Sequence, residues 1–348
     1  MVAVLWKDVW FGTIVFLFTV VVAWLLLDHK ARGRVHSWLL LAVLLGVIPH
    51  FRHNGLLILM GMALIIPLWF GQWRRQAVLS AAGAVAVYLG IRFGMGAALS
   101  ITQYRWYHGI RLSRIASVID QDVPLSTDEY EFLNSVRPLD DRWASCPINR
   151  LKLLSNKKFR INKTYLFQRY DVLKALHDSL FWRYPLLFSR HYFRQTTYLY
   201  RPCEPADQQM FYLSGARKWH IGPVGASLAA RDIPTWIRYV LLQTEKPSFS
   251  WLFWRPALHL YVVLFAAVVL LYRTREYHLL LIYLPVLLNT LSLFLVVVSQ
   301  CHRYQFALTL STSWLCCLAF LPRHTENATV QPSATICADK ADSVPAAT

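Results

Sequence analysis

Charged residues are scarce in this sequence, and acidic residues are the scarcest of them. Only 16% of the 348 residues are charged, with 19 Asp and Glu against 36 Lys and Arg, whereas 56% are hydrophobic. The apolar residues are gathered into long blocks, and such blocks exclude an ordinary soluble globular protein. The sequence therefore predicts a mainly α-helical, polytopic membrane protein.

Cysteines are also few. There are six of them, and none has the spacing of metal ligands, so the sequence predicts no metal centre. Cys146 and Cys203 could pair if their compartment is oxidising. The first apolar block has neither a basic leader nor a small-residue cleavage site, and we expect it to stay in the membrane.

Seven apolar segments predict seven membrane spans. Three of them reach the roughly 20 residues that an α-helix needs to cross a bilayer, and four are shorter or interrupted. The long segments are residues 9–27, 251–272 and 278–299, and the others are 37–49, 55–70, 77–92 and 304–322.

Short basic loops set the predicted orientation. "DHKARGRVH", "GQWRRQ" and "YRTREY" should face the cytoplasm by the positive-inside rule. This places "WKD", "HFRHNG", "SQCHRYQF" and the long middle segment on the opposite face. We accordingly divide the chain into a membrane block of four helices (1–92), an exoplasmic helical domain (93–250), a membrane block of three helices (251–322) and a disordered cytoplasmic tail (323–348).

The exoplasmic segment is predicted to be helical and electropositive. Residues 92–250 hold 23 of the 36 Lys and Arg but only 13 of the 19 Asp and Glu. Such a surface suits anionic membrane lipids or a phosphate-bearing ligand, although a merely solvated basic surface has the same composition. Nucleic acid is not expected outside the cytoplasm. In "LSTDEYEFLNSV", Ser126 or Thr127 is the predicted N-cap of a helix.

Polar residues cluster at four places on the predicted outer membrane surface. Ionisable residues at membrane ends are costly if they face lipid, so such clusters are hypotheses for a functional site. The alternative is that they are ordinary interfacial side chains paired with headgroups. The clusters are Lys7 with Asp8; His50, Arg52, His53 and Asn54 in "PHFRHNG"; His302 and Arg303 in "QCHRYQF"; and Arg92 with Arg105.

The motifs "LWKDVWFG" and "HFRHNGLLIL", in this order and separated by a span and a basic loop, resemble the bacterial polytopic glycosyltransferases of the GT-C fold and their relatives. The exoplasmic segment, with "LFWRYPLLFSRHYFRQTTYLY", is similar to the extracytoplasmic insert of such a family. The resemblance covers about residues 4–310. It implies transfer of a sugar from a polyprenyl-phosphate donor to a glycan, lipid or protein acceptor, at the outer face of a bacterial inner membrane.

The resemblance also implies roles for individual residues. Lys7, Arg52, His53, Asn54, Arg92, His302 and Arg303 would bind the substrate and its phosphate, since cationic forks suit a leaving phosphate. Asp8 is the candidate catalytic carboxylate, which would activate the acceptor hydroxyl or hold a divalent cation. The family carries its key acid after an additional helix ahead of the region that matches "WKD", so the sequence is interpreted as N-terminally truncated.

Two other classes of function fit the sequence. One is a transporter or scramblase for a lipid-linked saccharide, which would place polar residues along a path through the bilayer; Asn289 and Thr290 are among the few candidates for this. The other is an accessory subunit whose basic outer domain binds a membrane-protein partner or an anionic polymer.

Overall fold

The computed structural model describes residues 2–99, 107–139, 162–201, 243, 252, 255–296 and 305–320. All regular structure in these residues is helical, which confirms the predicted mainly α class. The helices are α1 (Val2–Leu27), α2 (His29–Arg32), α3 (Val35–Phe51), α4 (Gly55–Trp69), α5 (Arg74–Leu99), α6 (Tyr107–Ile119), α7 (Thr127–Val136), α8 (Lys163–Gln168), α9 (Tyr170–Arg183), α10 (Pro185–Tyr200), α11 (Pro256–Thr274), α12 (Leu284–Val296) and α13 (Phe306–Phe320), with 3₁₀ turns at Gly71–Trp73 and Tyr277–Ile282.

Seven helices, α1, α3, α4, α5, α11, α12 and α13, share one apolar core, which we call the bundle. Helix α1 lies at its centre, with the side chains of Phe11, Phe18 and Leu25 almost fully buried. Helices α5 and α11 expose large apolar side chains such as Leu79 and Phe265. An apolar outer surface of this kind suits lipid as the surrounding solvent.

Within the described residues, three helices are long and apolar enough to cross a membrane: residues 8–27, 71–94 and 256–274. Four shorter apolar helices accompany them in the same part of the chain, at residues 35–51, 55–69, 284–295 and 306–320. Two of these long helices agree with the sequence prediction. The structure has a further long helix at residues 71–94, whereas the sequence predicted one at residues 278–299. Residues 278–299 were expected to form one span, but the chain runs through a 3₁₀ turn before α12 begins. Pro285, in the first turn of α12, has no N–H and its ring would clash with the preceding turn of a continuous helix.

Close helix packing in the bundle depends on a glycine in α3. A Cβ atom at Gly46 would lie 2.5 Å from the backbone oxygen of Ala84 and 2.8 Å from Cβ of Val87. The α3 backbone can therefore approach α5 only because residue 46 has no side chain. Helix α5 continues to Leu99, seven residues beyond the end of the predicted N-terminal membrane block.

Two arginines bind the carboxyl ends of bundle helices at the predicted cytoplasmic side. Nε of Arg32 donates to the carbonyl of Leu25 at 2.7 Å, and Nη1 of Arg273 donates to the carbonyl of Ala319 at 2.7 Å. Both bonds satisfy carbonyl groups that a helix end leaves without an intrahelical partner.

Helices α6 to α10 form a second, smaller core outside the bundle. Ser126 is the N-cap of α7 and forms a capping box with Glu129, which confirms the predicted helix start. Helix α10 joins this domain to the bundle: the hydroxyl of Tyr261 in α11 donates to the carbonyl of Tyr200, and the ring of Tyr192 packs edge-on against Phe294 of α12 at 5.4 Å. Cys146, Cys203 and the predicted tail lie outside the described residues.

Candidate functional site

The first two polar clusters meet in a buried ion pair. Nε of Arg52 lies 3.0 Å from Oδ1 of Asp8, and the two side chains are only 13% and 7% exposed. Arg52 follows the last turn of α3, and its guanidinium also lies over the ring of Phe11, 5.8 Å from the centroid. The pair therefore joins α1 to the turn between α3 and α4 inside an apolar bundle.

A chain of side-chain amides continues from the same turn into the second half of the bundle. Nδ2 of Asn54 donates to Oδ1 of Asn289 at 2.7 Å, and Nδ2 of Asn289 donates to Oε1 of Gln305 at 3.4 Å. The hydroxyl of Thr290 reaches the same Gln305 oxygen at 3.4 Å. Gln305 and Asn289 are fully buried, so these bonds form in a medium where unsatisfied polar groups are costly.

Arg92 is connected to this turn by the side chains of Tyr88 and His50. Its Nη1 donates to the hydroxyl of Tyr88 at 2.9 Å, and the ring of Tyr88 packs against His50 with 5.1 Å between centroids. His50 is in the last turn of α3, beside Arg52. Its Nε2 atom is buried and has no hydrogen-bond partner among the residues that the structure describes.

The structure thus brings together most of the predicted site residues that it describes. Asp8, Arg52, Asn54 and Arg92 lie at one end of the bundle, and His53 in the same turn is exposed to solvent. The side chain of Lys7, and all of Arg105, His302 and Arg303, lie outside the described part of the chain. We call Asp8, His50, Arg52, Asn54, Arg92, Asn289 and Gln305 the polar end of the bundle.

Gln305 of the polar end, and Tyr88 beside His50, were not selected from the sequence, and Asn289 was interpreted differently. Gln305 is in the motif "QCHRYQF", but its neighbours His302 and Arg303 were selected because they carry charge. Tyr88 is in an apolar run with no polar neighbour to single it out. Asn289 was considered only as part of a path through the bilayer, whereas its amide bonds to α4 and α13.

The arrangement has definite chemical properties. It combines one carboxylate with guanidinium, imidazole and amide donors at an end of apolar helices, where effective charge interactions exceed those in water. Among the described residues there is no group of three or more His, Cys, Asp or Glu that could hold a metal ion. The donors outnumber the single acid, so the polar end is better suited to an anionic group than to a cation.

Comparison with family models, with curated proteins and with solved structures finds no match to this chain.

Proposed function

We propose that the polar end of the bundle binds the phosphate of a polyprenyl-phosphate-linked sugar, and that the chain transfers this sugar to an acceptor on the outer face of a bacterial inner membrane. The observation that carries the proposal is the placement of Arg52, Asn54 and Arg92 at one end of the bundle, where Arg52 is paired with the buried carboxylate of Asp8. The motif resemblance to GT-C glycosyltransferases supplies the class of reaction.

The predicted topology fits this chemistry. Seven spans, with the basic loops in the cytoplasm, place the polar end outside, level with the lipid headgroups. The apolar side chains that α5 and α11 expose, such as Leu79 and Phe265, offer the polyprenyl chain apolar surface to pack against. A phosphate at this depth would meet an Arg fork at low dielectric, where charge-assisted hydrogen bonds are strongest.

The ion pair gives Arg52 and Asp8 linked roles in the proposed reaction. A phosphate that binds Arg52 competes with Asp8 for the guanidinium, and Asp8 is then able to accept a proton. In the transfer step the acceptor oxygen loses its proton to Asp8 and bonds to the anomeric carbon. The bond from that carbon to the phosphate oxygen breaks, and the phosphate leaves with both electrons, stabilised by the cationic groups.

The binding step is tested with purified protein in detergent and a polyprenyl-phosphate analogue. Arg52→Ala should weaken binding by at least about tenfold, as expected for a lost charge-assisted contact, and Arg52→Lys should retain part of the affinity. Arg75→Ala, at the opposite end of α5, is the matched control. Unchanged affinity in Arg52→Ala would contradict the assignment of the polar end as the phosphate-binding site.

The transfer step needs a separate assay, which also distinguishes the alternatives. Release of labelled sugar from the lipid by the wild-type protein, and its loss in Asp8→Asn, would support a glycosyltransferase. Lipid binding with no release would favour a transporter, a scramblase or an accessory subunit. Against a transport path, Asn289 and Thr290 are buried, and both donate hydrogen bonds to Oε1 of Gln305 inside the bundle, as residues with a structural role do.

A further inference from the structure

A second cluster of basic groups lies in the extramembrane domain, where α6 packs against α9 and α10. Arg111 and Arg114 are one turn apart on α6. The guanidinium of Arg111 lies over the ring of Tyr170 at 5.2 Å. Arg114 interacts electrostatically with His177 of α9 and with Tyr192 of α10. We call Arg111, Arg114, His177 and Tyr192 the interhelical basic cluster.

The charge of Arg114 is not balanced within the described residues. Its guanidinium is half-buried and makes no hydrogen bond or ion pair with any residue that the structure describes, whereas its backbone carbonyl accepts from the hydroxyl of Ser117. The carboxylate that interacts with the cluster is Asp178, which is half exposed and bonded to Nδ1 of His177 at 2.9 Å. A guanidinium removed from water without a counterion is costly, so the cluster favours an anion.

His177 supplies an independent indication of a ligand. The residue is 8% exposed, and its buried Nε2 has no hydrogen-bond partner in the part of the chain that the structure describes. Nearly all buried polar atoms in proteins are paired, so an unpaired one needs an explanation. Its own helix presents Asp178 to it, α6 presents Arg111 and Arg114, and α10 presents the ring of Phe188 edge-on at 5.4 Å.

We propose that the interhelical basic cluster is a binding site for a phosphate group, separate from the polar end of the bundle. Arg114 would bind the phosphate with its forked donors, Tyr192 would donate its hydroxyl, and His177 would donate Nε2–H after taking up a proton. Tyr192 also contacts Phe294 of the bundle, so the site lies beside the apolar helices. The phosphate could therefore belong to a phospholipid headgroup or be free in solution. The inference does not depend on the proposed function.

Two probes distinguish the sources of the phosphate. Calorimetry of the full chain in uncharged detergent measures binding of inorganic phosphate, and nanodiscs of phosphatidylcholine with or without phosphatidylglycerol measure binding of a headgroup through thermal stabilisation. Arg114→Gln should weaken the response to whichever probe binds by about tenfold or more, as for a lost bond to a charged group. Arg190→Gln, an exposed arginine on α10, should leave it unchanged.

Proton uptake on binding is a second measurement, and it would not change if Arg114 only stabilised the fold. Calorimetry in two buffers of different ionisation enthalpy should show a proton taken up on binding, and His177→Gln should abolish this uptake. If Arg114→Gln fails to fold, Arg114→Lys serves in its place, with an intermediate affinity expected. Absence of binding by the wild-type chain to both probes, or equal affinity in the Arg114 variants, would overturn the proposal. Arg114→Gln should still bind the polyprenyl-phosphate analogue at the polar end like the wild type, which separates failure of this inference from failure of the proposed function.

Discussion

Asp8 and Arg52 form an ion pair whose cost and benefit are both large, because their side chains are buried among apolar helices. Taking two charges out of water costs several kcal/mol for each ion, and their attraction offsets this cost only while both partners remain. Removal of one partner leaves the other buried without this ion pair. The pair is therefore expected to couple α1 strongly to the turn after α3.

Single and double substitutions should reveal this coupling. Asp8→Ala and Arg52→Ala should each destabilise the protein by about 3–5 kcal/mol, the range for breaking a buried pair. The double variant should be less destabilised than the sum of the two, because it leaves no uncompensated charge. Unfolding in detergent of the wild type and the three variants completes the cycle. Additive effects within experimental error would contradict a buried pair.

His177 is expected to make the stability of the domain formed by helices α6 to α10 depend on pH. Burial lowers the pKa of His177 below its usual value of 6.5, and the nearby Arg114 and Arg111 act in the same direction against the hydrogen bond to Asp178. The unfolded chain then binds more protons than the folded chain at pH values between the two pKa values. Stability should therefore rise with pH in this window and be lost as the pH falls below 6.5.

The check is the midpoint of thermal unfolding in detergent, measured at several pH values from 7.5 down to about 5.5. His177→Gln should flatten the dependence, since Gln does not titrate. Val172→Ala, on the exposed side of the same helix, should shift all midpoints without changing the slope. A slope that persists in His177→Gln would assign the effect to another group.

At the scale of single residues, the sequence predicts local contacts better than distant ones. Ser126 was recognisable as an N-cap because its partner Glu129 is three residues away in a known motif. The bond from Asn54 to Asn289 joins residues 235 positions apart, and only the packing of α4 against α12 brings them together. Asp8 and Arg52 were both selected as site residues. Their ion pair was not predicted, because it also joins residues that are distant in the sequence.

At the scale of helices, apolar blocks identify where the elements lie, while proline and glycine determine how they end and how closely they pack. The predicted helical segments overlap α1, α3, α4, α5, α11 and α13, with ends that differ by up to seven residues. The 3₁₀ turn before α12 was missed because hydropathy does not register the missing N–H of Pro285. The close approach of α3 and α5 was missed because a glycine in an apolar run gives no periodic signal.

Gly46→Ala tests how tightly α3 packs against α5. The added Cβ would meet backbone of Ala84 at 2.5 Å, which cannot be relieved by a side-chain rotation, so we expect a loss of about 1–3 kcal/mol from overpacking. Gly90→Ala is the matched control on α5, where nothing lies within 4 Å of the new atom. This change should be neutral, or stabilise by up to about 1 kcal/mol through helix propensity. Equal stabilities of the two variants in detergent would contradict the packing described here.

At the scale of the whole molecule, polar and basic groups are separated between the two ends of the bundle. The domain formed by helices α6 to α10 lies at the same end of the bundle as the polar end, because α10 contacts α11 and α12 there. At the other end, a Cβ atom built on Gly33 would lie 3.9 Å from the ring of Trp73. The turns that carry the exposed residues Arg34, Arg74 and Arg75 are therefore neighbours. Such a basic end is what the positive-inside rule requires of the cytoplasmic side.

Labelling of single cysteines tests this orientation directly. The six native cysteines are replaced by serine, and one cysteine is introduced at Tyr130 of the extramembrane domain or at Arg75 of the basic end, both of which are exposed. A membrane-impermeant maleimide should label Tyr130→Cys on intact cells stripped of their outer barrier, but should label Arg75→Cys only after the membrane is permeabilised. Because both ends belong to one bundle, the two results must be opposite if the chain has a single topology. Labelling of Arg75→Cys from outside, with Tyr130→Cys protected, would reverse the orientation and would move the polar end, with its proposed phosphate site, to the cytoplasmic face.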